Sequence, residues 1–358
     1  MLNDKILTLL QRPEVSDLHI TEGSAIWFRD AGKLKREDGE PITREDIHTW
    51  MASIQDDTNI PIDTLPKKIL VKGDLDFSAQ LPTMRVRGNI FLSDKRFSMV
   101  LRRLNSKIPK MEDMDLPLQV VELIGRSKGI MLVTGATGSG KSTTLAAILQ
   151  YLNENTRSHI ITIEDPIEYK LKDAMSHISQ RQIGPDASSF GNALRAALRQ
   201  DPDILLIGEL RDQETVKTAL DAANTGHLVF GTLHTNNARQ SIERLTSFFA
   251  AEEKEWAQQV ISSVLLGVMS QVLVPKATGQ GRQLCSELMV NTSAAAQCIR
   301  DGKLTHLVNI MEMGSTDGQQ TLNNDLKRRL LEGQITTEDA LYYSYAPGQL
   351  QKELSDDY

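Results

Sequence analysis

The residues best suited to chemistry are the nine of "GATGSGKST", 135–143. Their spacing fits G-x-x-x-x-G-K-[ST], with an apolar strand-like run before it and a helix-forming run after it. Gly135, Gly138 and Gly140 let backbone amides turn toward a phosphate, with Ala136, Thr137 and Ser139 filling the loop between them. Lys141 supplies a point charge to outer phosphates, and Ser142 a hydroxyl to Mg²⁺. The helix opening at Ser142 and Thr143 adds its positive end. Two acidic segments extend this chemistry. "ITIEDPIEY" (161–169) places Glu164 and Asp165 at the end of a strand, where ligands of parallel sheets sit and where a turn could also use them. "DILLIGELRD" (203–212) is an apolar strand ending in Glu209, placed to orient or deprotonate a water attacking a γ-phosphate. Gly208 stands where such strands usually carry a metal-side Asp.

"GHLVFGTLHTNN" (226–237) brackets an apolar run with His227 and His234. Core histidines, a metal pair and imidazoles near phosphate are all open readings of these two residues. A metal pair would want a third ligand at short spacing, and none is near. An imidazole close to phosphate has an evident electrostatic use.

Elements of two kinds must position these groups. In the first ~100 residues, short apolar runs at 17–20, 25–28, 75–78, 85–92 and 97–104 read as strands, and 43–55 reads as a helix capped by Thr43 with Glu45 and Asp46 in its first turn. This is a small α+β domain over residues 1–104. "NSKIPKMEDMDLP" (105–117), with two prolines and mixed charge, reads as a linker. From 118 to 358 continuous apolar strands alternate with amphipathic helices, the pattern of a parallel sheet covered on both faces. Residues after ~253 read mostly as helices.

Bulk properties narrow the class. The 358 residues suggest about two domains. No apolar run is long enough to span a membrane, and the N-terminus has no secretory signature. Cys285 and Cys298 lack paired spacing and read as buried reduced thiols, so a cytoplasmic location is expected. A net charge of −7 weighs against nucleic acid as a partner. The exception is a local basic strip, 84–103, carrying Arg85, Arg87, Lys95, Arg96, Arg102 and Arg103.

"GATGSGKSTTLAA", "TIEDPIEY", "LRQDPDILLIGELRD" and "TGHLVFGTLHTNNA", in this order, resemble the Walker A, Asp box, Walker B and His box of the type II/IV secretion ATPase superfamily. "SDLHI", the text at 28–34 and "MRVRGNIF" are similar to the N-terminal domain of its PilT-type retraction ATPases. The tail at 318–344 and the text at 98–117 look like the PilU branch. The resemblance implies an α/β protein, with a PAS-like N-terminal domain followed by a RecA-like P-loop ATPase domain and a helical C-terminal part. It implies ATP and Mg²⁺ as ligands, a homohexamer with ATP between subunits, and a motor retracting type IV pili at the cytoplasmic face of the inner membrane. Such a motor reaches the membrane through an inner-membrane platform protein, in some systems beside a second retraction ATPase. It also implies nucleotide-linked roles for His227 and His234, and arginines at Arg85, Arg87 and Arg102 that reach the nucleotide. A further family arginine falls on Lys95, which lacks the planar fork of Arg, with Arg96 beside it. Arg195 and Arg199, four apart, read equally as an intersubunit pair or an exposed face.

"AAAQCIRD" (294–301) departs from the family's "AIRNLIRE"-like stretch: Ala295 and Ala296 replace Ile and Arg, while Ile299 and Arg300 remain. This favours an accessory motor, although "GELRD" and "GTLHTNN" look PilT-like. The missing four-cysteine motif of assembly ATPases argues for retraction. A secretion or conjugation channel ATPase would share the same active-site text. A regulatory ATP-binding subunit is a third reading, against which Lys141 and Glu209 weigh.

Overall fold

The computed structural model describes residues 2–12, 14–30, 33–54, 69, 73–104, 107–314 and 317–356. The chain divides into two compact units, residues 1–107 with 166–170, and residues 108–165 with 171–358.

In the first unit, helix α1 (Leu2–Gln11) precedes strands β1 (Val15–Thr21), β2 (Trp27–Asp30) and β3 (Lys33–Arg36). Helix α2 (Arg44–Ser53) follows, then β4 (Asp74–Gln80), β5 (Arg85–Ser93) and β6 (Arg96–Leu104). The six strands form one antiparallel sheet in the order β3-β2-β1-β6-β5-β4. Thr43 caps α2 in a full capping box with Asp46. Gln55 at the end of the expected helix, Ala31 and Gly32 of the 28–34 text, and Asn105 and Ser106 of the expected linker lie outside the described residues. The expected strand at 25–28 instead begins at Trp27, and α1 and β3 were not expected. Ile6, Leu10, Ile47 and Trp50 of the helices share one core with Leu18, Val86 and Leu101 of the sheet.

The second unit opens with helix α3 (Gln119–Ile124), β7 (Gly129–Thr134) and the long helix α4 (Lys141–Asn155). Next come β8 (His159–Glu164), β9 (His177–Gln182), α5 (Phe190–Ala197), β10 (Ile204–Ile207), α6 (Gln213–Asn224) and β11 (Leu228–Leu233). Helices α7 (Ala238–Ser247) and α8 (Lys254–Val264), then strands β12 (Leu265–Pro275) and β13 (Arg282–Val290), complete the sheet. Helices α9 (Ser293–Arg300), α10 (Leu307–Met313), α11 (Leu322–Leu331), α12 (Thr337–Tyr343) and α13 (Pro347–Asp356) follow.

The seven strands run in the order β13-β12-β7-β11-β10-β8-β9, parallel except for the antiparallel edge β13. Alternate residues feed two cores. Ile130, Leu132, Ile161 and Leu205 pack to one side, and Met131, Val133, Ile160 and Ile204 to the other. Burial on both faces explains why these strands read as continuous apolar runs.

The C-terminal part corrects one expectation. Residues 265–275 and 282–290 are strands rather than helix. Helix α8 passes into β12 with no turn residue between them: Leu265 is at once the helix's C-terminal cap, with an extended backbone, and the strand's first residue. The edge strand β9, "HISQRQ", has one apolar residue, Ile178, and gave no strand signal.

A buried charge cluster fastens the C-terminal helices to this sheet. Asp325 of α11 accepts the Ser286 amide of β13 at 2.8 Å and Arg328 Nη2 at 2.6 Å, and its Oδ1 lies 3.3 Å from Nε of the buried Arg329. Removing Asp325 leaves the Ser286 amide without its acceptor, while Arg329 keeps Asp115 and Gln334 and the half-exposed Arg328 keeps Glu332. Asp325→Ala is therefore expected to lower unfolding free energy by about 1–3 kcal/mol. Chemical denaturation measures this, and an unchanged midpoint would show that the cluster contributes nothing.

Candidate active site

Gly135, Glu164, Glu209 and His234 all follow or end parallel strands at the same edge of the sheet: β7, β8, β10 and β11 respectively. The carboxyl ends of parallel strands are where α/β proteins bind ligands.

The phosphate loop is held by tight backbone approach. Gly135 has φ +142°, and a Cβ there would stand 2.4 Å from the Gln271 carbonyl of β12. Gln271 Nε2 in turn donates to Ser139 O at 2.7 Å. Helix α4 starts at Gly140 in a left-handed conformation with no side-chain cap, whereas Ser189, Asp212 and Asn237 cap α5, α6 and α7. Helix α4 thus opens on a residue with no side chain to compete for its first turn, the arrangement found at anion-binding helix starts. Ala136, Thr137 and Gly138 form the exposed crest of the loop. Lys141 Nζ folds back onto the carbonyls of Gly135 at 2.8 Å and Ala136 at 3.0 Å. Ser142 is exposed on the first turn and Thr143 is half-buried.

Glu209 sits one strand beyond His234. Its Oε2 lies 2.7 Å from Arg211 Nη2 and 3.5 Å from His234 Nε2. Burial pulls this carboxyl upward, but the hydrogen bond and charge of Arg211, helped by His234, outweigh it and hold the carboxyl below its usual range. Glu209 is therefore anionic at neutral pH. Asp165 adds to the field on Arg211. The hydroxyl of Thr232 donates to Gly208 O, pinning the ends of β10 and β11 together. A Cβ at Gly208, where other phosphate-loop proteins place a carboxylate, would stand 3.0 Å from Ile163 O, a tight fit that the β8 backbone would have to relieve by a small shift. Glu164 Oε1 accepts from Thr162 Oγ1 at 2.7 Å and Gln180 Nε2 at 3.1 Å. It ends a strand three places from β7, roughly 14 Å across the ladder.

The two histidines separate. His227 precedes β11 and His234 follows it, which puts them at opposite edges of the sheet, roughly 23 Å apart. His227 Nδ1 bonds the Ala222 carbonyl at 2.9 Å. They do not form a metal pair, and His227 is not brought to the phosphate loop of its own chain. Among the described residues no group of three or more His, Cys, Asp or Glu side chains could hold a metal ion. A cation here would be held by Ser142 and by nucleotide phosphates, a donor set that suits Mg²⁺, which keeps most of its waters.

In the first unit, sheet register aligns Ser78, Arg87, Arg102, Asp17 and Arg29 in one row across five strands. Arg102 Nε donates to Asp17 Oδ1 at 2.7 Å. Arg85 is buried and donates to Ser78 Oγ at 3.0 Å. Lys95 and Arg96 lie at the β5–β6 hairpin tip, roughly 20 Å along the strand from this row. In the second unit, Arg195 pairs with Glu214 within its own chain, and Arg199 bonds the Arg195 carbonyl.

Sequence reasoning passed over Arg211, although it stands two residues after Glu209. It also passed over a buried hydroxyl chain. Thr134 at the end of β7 lies 2.8 Å from Ser270 of β12, Ser241 of α7 reaches Thr134 at 3.4 Å, and Thr235 lies 2.7 Å from Ser241. This chain joins the strand under the phosphate loop to the residue after His234.

The family model for type II/IV secretion system proteins matches residues 2–331. The chain belongs to this family. The type IV pilus retraction ATPase PilT of Pseudomonas aeruginosa is 38% identical over 337 residues, covering 94% of this chain and 96% of that one. The type IV pilus ATPase PilU of the same organism is 34% identical over 349 residues, covering 97% and 90%. A crystal structure of the pilus retraction motor PilT with bound ADP superposes with a TM-score of 0.87 at 40% identity, covering 98% of this chain and 99% of that one. The chain is thus an ATPase of this family with an α/β, RecA-like fold, and no helix among the described residues is long and apolar enough to cross a membrane.

Within that family frame, the Arg211 pair gives a test. Arg211→Ala is expected to raise the Glu209 pKa, so the acid limb of the turnover-versus-pH profile should move toward neutrality. An unmoved limb would show that Arg211 does not set the charge on Glu209.

Proposed function

We propose that this chain is an ATP-driven motor for type IV pilus retraction, working as a homohexamer at the cytoplasmic face of the inner membrane. The observation that carries the reading is the convergence of an uncapped phosphate-loop helix with Glu209 and His234 at neighbouring strand ends, in a chain similar over nearly its whole length to PilT. In this reading residues 1–104 form a PAS-like domain, 105–117 a linker and 118–358 the ATPase domain.

The loop amides of 135–143 and Lys141 hold the outer phosphates. Lys141 must leave the Gly135 and Ala136 carbonyls to do so, which exchanges weak neutral acceptors for charged ones. Ser142 holds Mg²⁺, whose contribution is to neutralise phosphate charge. Glu209, kept anionic by Arg211, orients the attacking water; a carboxylate held this far below neutrality is a better orienter than proton acceptor. His234 reports on the γ-phosphate from the adjacent strand end, and Glu164 and Asp165 flank the site. Arg87 and Arg102 offer charge to a nucleotide, whereas Arg85, expected to do the same, is buried and bonded to Ser78 within its own unit; His227 acts toward a neighbouring subunit. The force passes to an inner-membrane platform protein.

A second reading, an accessory motor working beside another retraction ATPase, is favoured by α9. Ala295 and Ile299 face the core while Ala296 and Arg300 do not. Relative to "AIRNLIRE"-like text, one of two outward arginines is gone.

Fluorescently labelled pili in cells that lack every other retraction ATPase test the proposal. Retraction that stops with Glu209→Gln is the expected result for a self-sufficient motor. Retraction only when a second motor is restored assigns the accessory role. No effect in either background would contradict the pilus assignment.

A further inference from the structure

A cavity of about 540 Å³ lies in the second unit among β13, α7 and the C-terminal helices, and no step above uses it. Leu307 and Met311 of α10 and Leu322 of α11 supply an apolar wall. Three carboxylates line it, Glu287 of β13, Glu312 of α10 and Glu353 of α13, against one cation, Arg239 of α7. Arg239 is already engaged, its Nε donating to Glu243 at 2.8 Å. Gln349 Nε2 donates to Glu353 at 2.9 Å and to Glu312 at 3.3 Å.

Glu287 is the unusual member. It is only 9% exposed. Its Oε1 accepts the Ala238 amide at 2.7 Å, and among the described residues no hydrogen bond reaches its Oε2. A carboxylate so placed is expensive unless something pairs with it. The chain supplies one amide, and the cavity supplies room.

We propose that this cavity binds a primary amine carried on an apolar chain, the ammonium against Glu287 and the alkyl part along Leu307, Met311 and Leu322. The volume lies within the roughly 300–1,000 Å³ usual for small-molecule sites, and the mix of one apolar wall with a few directed polar groups is their usual chemistry. The lining charge excludes anions and gives neutral ligands no advantage. Arg239, Glu312, Glu353 and the Tyr345 hydroxyl are the other ionisable groups that face the site. Burial pushes the Glu287 carboxyl up to about 7. Below that pH the group is neutral and the ammonium loses its partner; above it the charge is present. Amine binding therefore strengthens as pH rises through about 7. The site also borders the candidate catalytic loop: Asn237 lines the cavity and caps α7, and the Tyr345 hydroxyl, also in the lining, donates to Asn236 O, two residues after His234.

Calorimetric titration of the full chain with hexylamine, and with 1-hexanol as the uncharged match, tests this. One hexylamine per chain is expected, with affinity falling roughly tenfold per pH unit below about 7. Glu287→Gln keeps an acceptor for the Ala238 amide and is expected to weaken hexylamine by at least about tenfold. Val308→Trp, at a half-exposed lining position, is expected to block the cavity without touching Glu287. Equal binding of hexylamine and hexanol, unchanged affinity in both variants, or no saturable binding would overturn the proposal. The titration needs no ATP turnover, so its outcome is separate from that of the pilus assay.

Discussion

The clamp of β12 on the phosphate loop is the constraint on which the site depends. Gly135 runs so close to the Gln271 carbonyl that no side chain fits, and the Gln271 amide holds Ser139 O from the same strand. A loop that must present several amides at once pays a large entropic cost if it is free to move. Here the cost is met in folding, because β12 is hydrogen-bonded along β7 and the loop leaves β7 directly. The backbone of the loop and the start of α4 without a side-chain cap are thereby fixed before a ligand arrives, and Lys141 is the part that must move.

From that fixed point the other groups are placed by strand order. β11 lies beside β7 and β10 beside β11, so His234 and Glu209 stand one and two strands from the loop. Thr232 fastens their strand ends together, and the hydroxyl chain through Ser270, Thr134, Ser241 and Thr235 ties the loop after β11 back to β7 and β12. A shift of the phosphate loop thus has a packed route to the residue beside His234. At Gly208 the β10 and β8 backbones approach closely, so a side chain there would need a small shift of β8.

Much of this was legible in the sequence because it is local. The phosphate loop, its strand and its helix are contiguous text with a spacing that few other structures satisfy. The strand ends at Glu164 and Glu209 followed from continuous apolar runs. What was not legible depends on tertiary partners. β12 and β13 were missed because α8 runs into β12 without punctuation, and the strand's role depends on Gln271 and Ser270, polar residues that a core strand would not be expected to bury. The separation of His227 from His234 was implicit in a six-residue strand between them, yet a shared motif invited reading them together. Arg211 stands in plain view, but its hold on Glu209 needs a bend after β10 that no periodicity reports. The row of Arg87, Arg102 and Asp17 needs the strand register, which joins residues 85 apart in sequence.

The account's central claim is that the loop binds nucleotide and Glu209 acts only in turnover. Equilibrium ATP affinity and single-turnover hydrolysis, measured on the same purified Glu209→Gln protein with Lys141→Ala alongside, test it most directly. Glu209→Gln should keep ATP affinity and lose about 10²–10⁴-fold in rate, while Lys141→Ala should lose affinity itself. An unchanged rate in Glu209→Gln, or normal affinity in Lys141→Ala, would contradict the account.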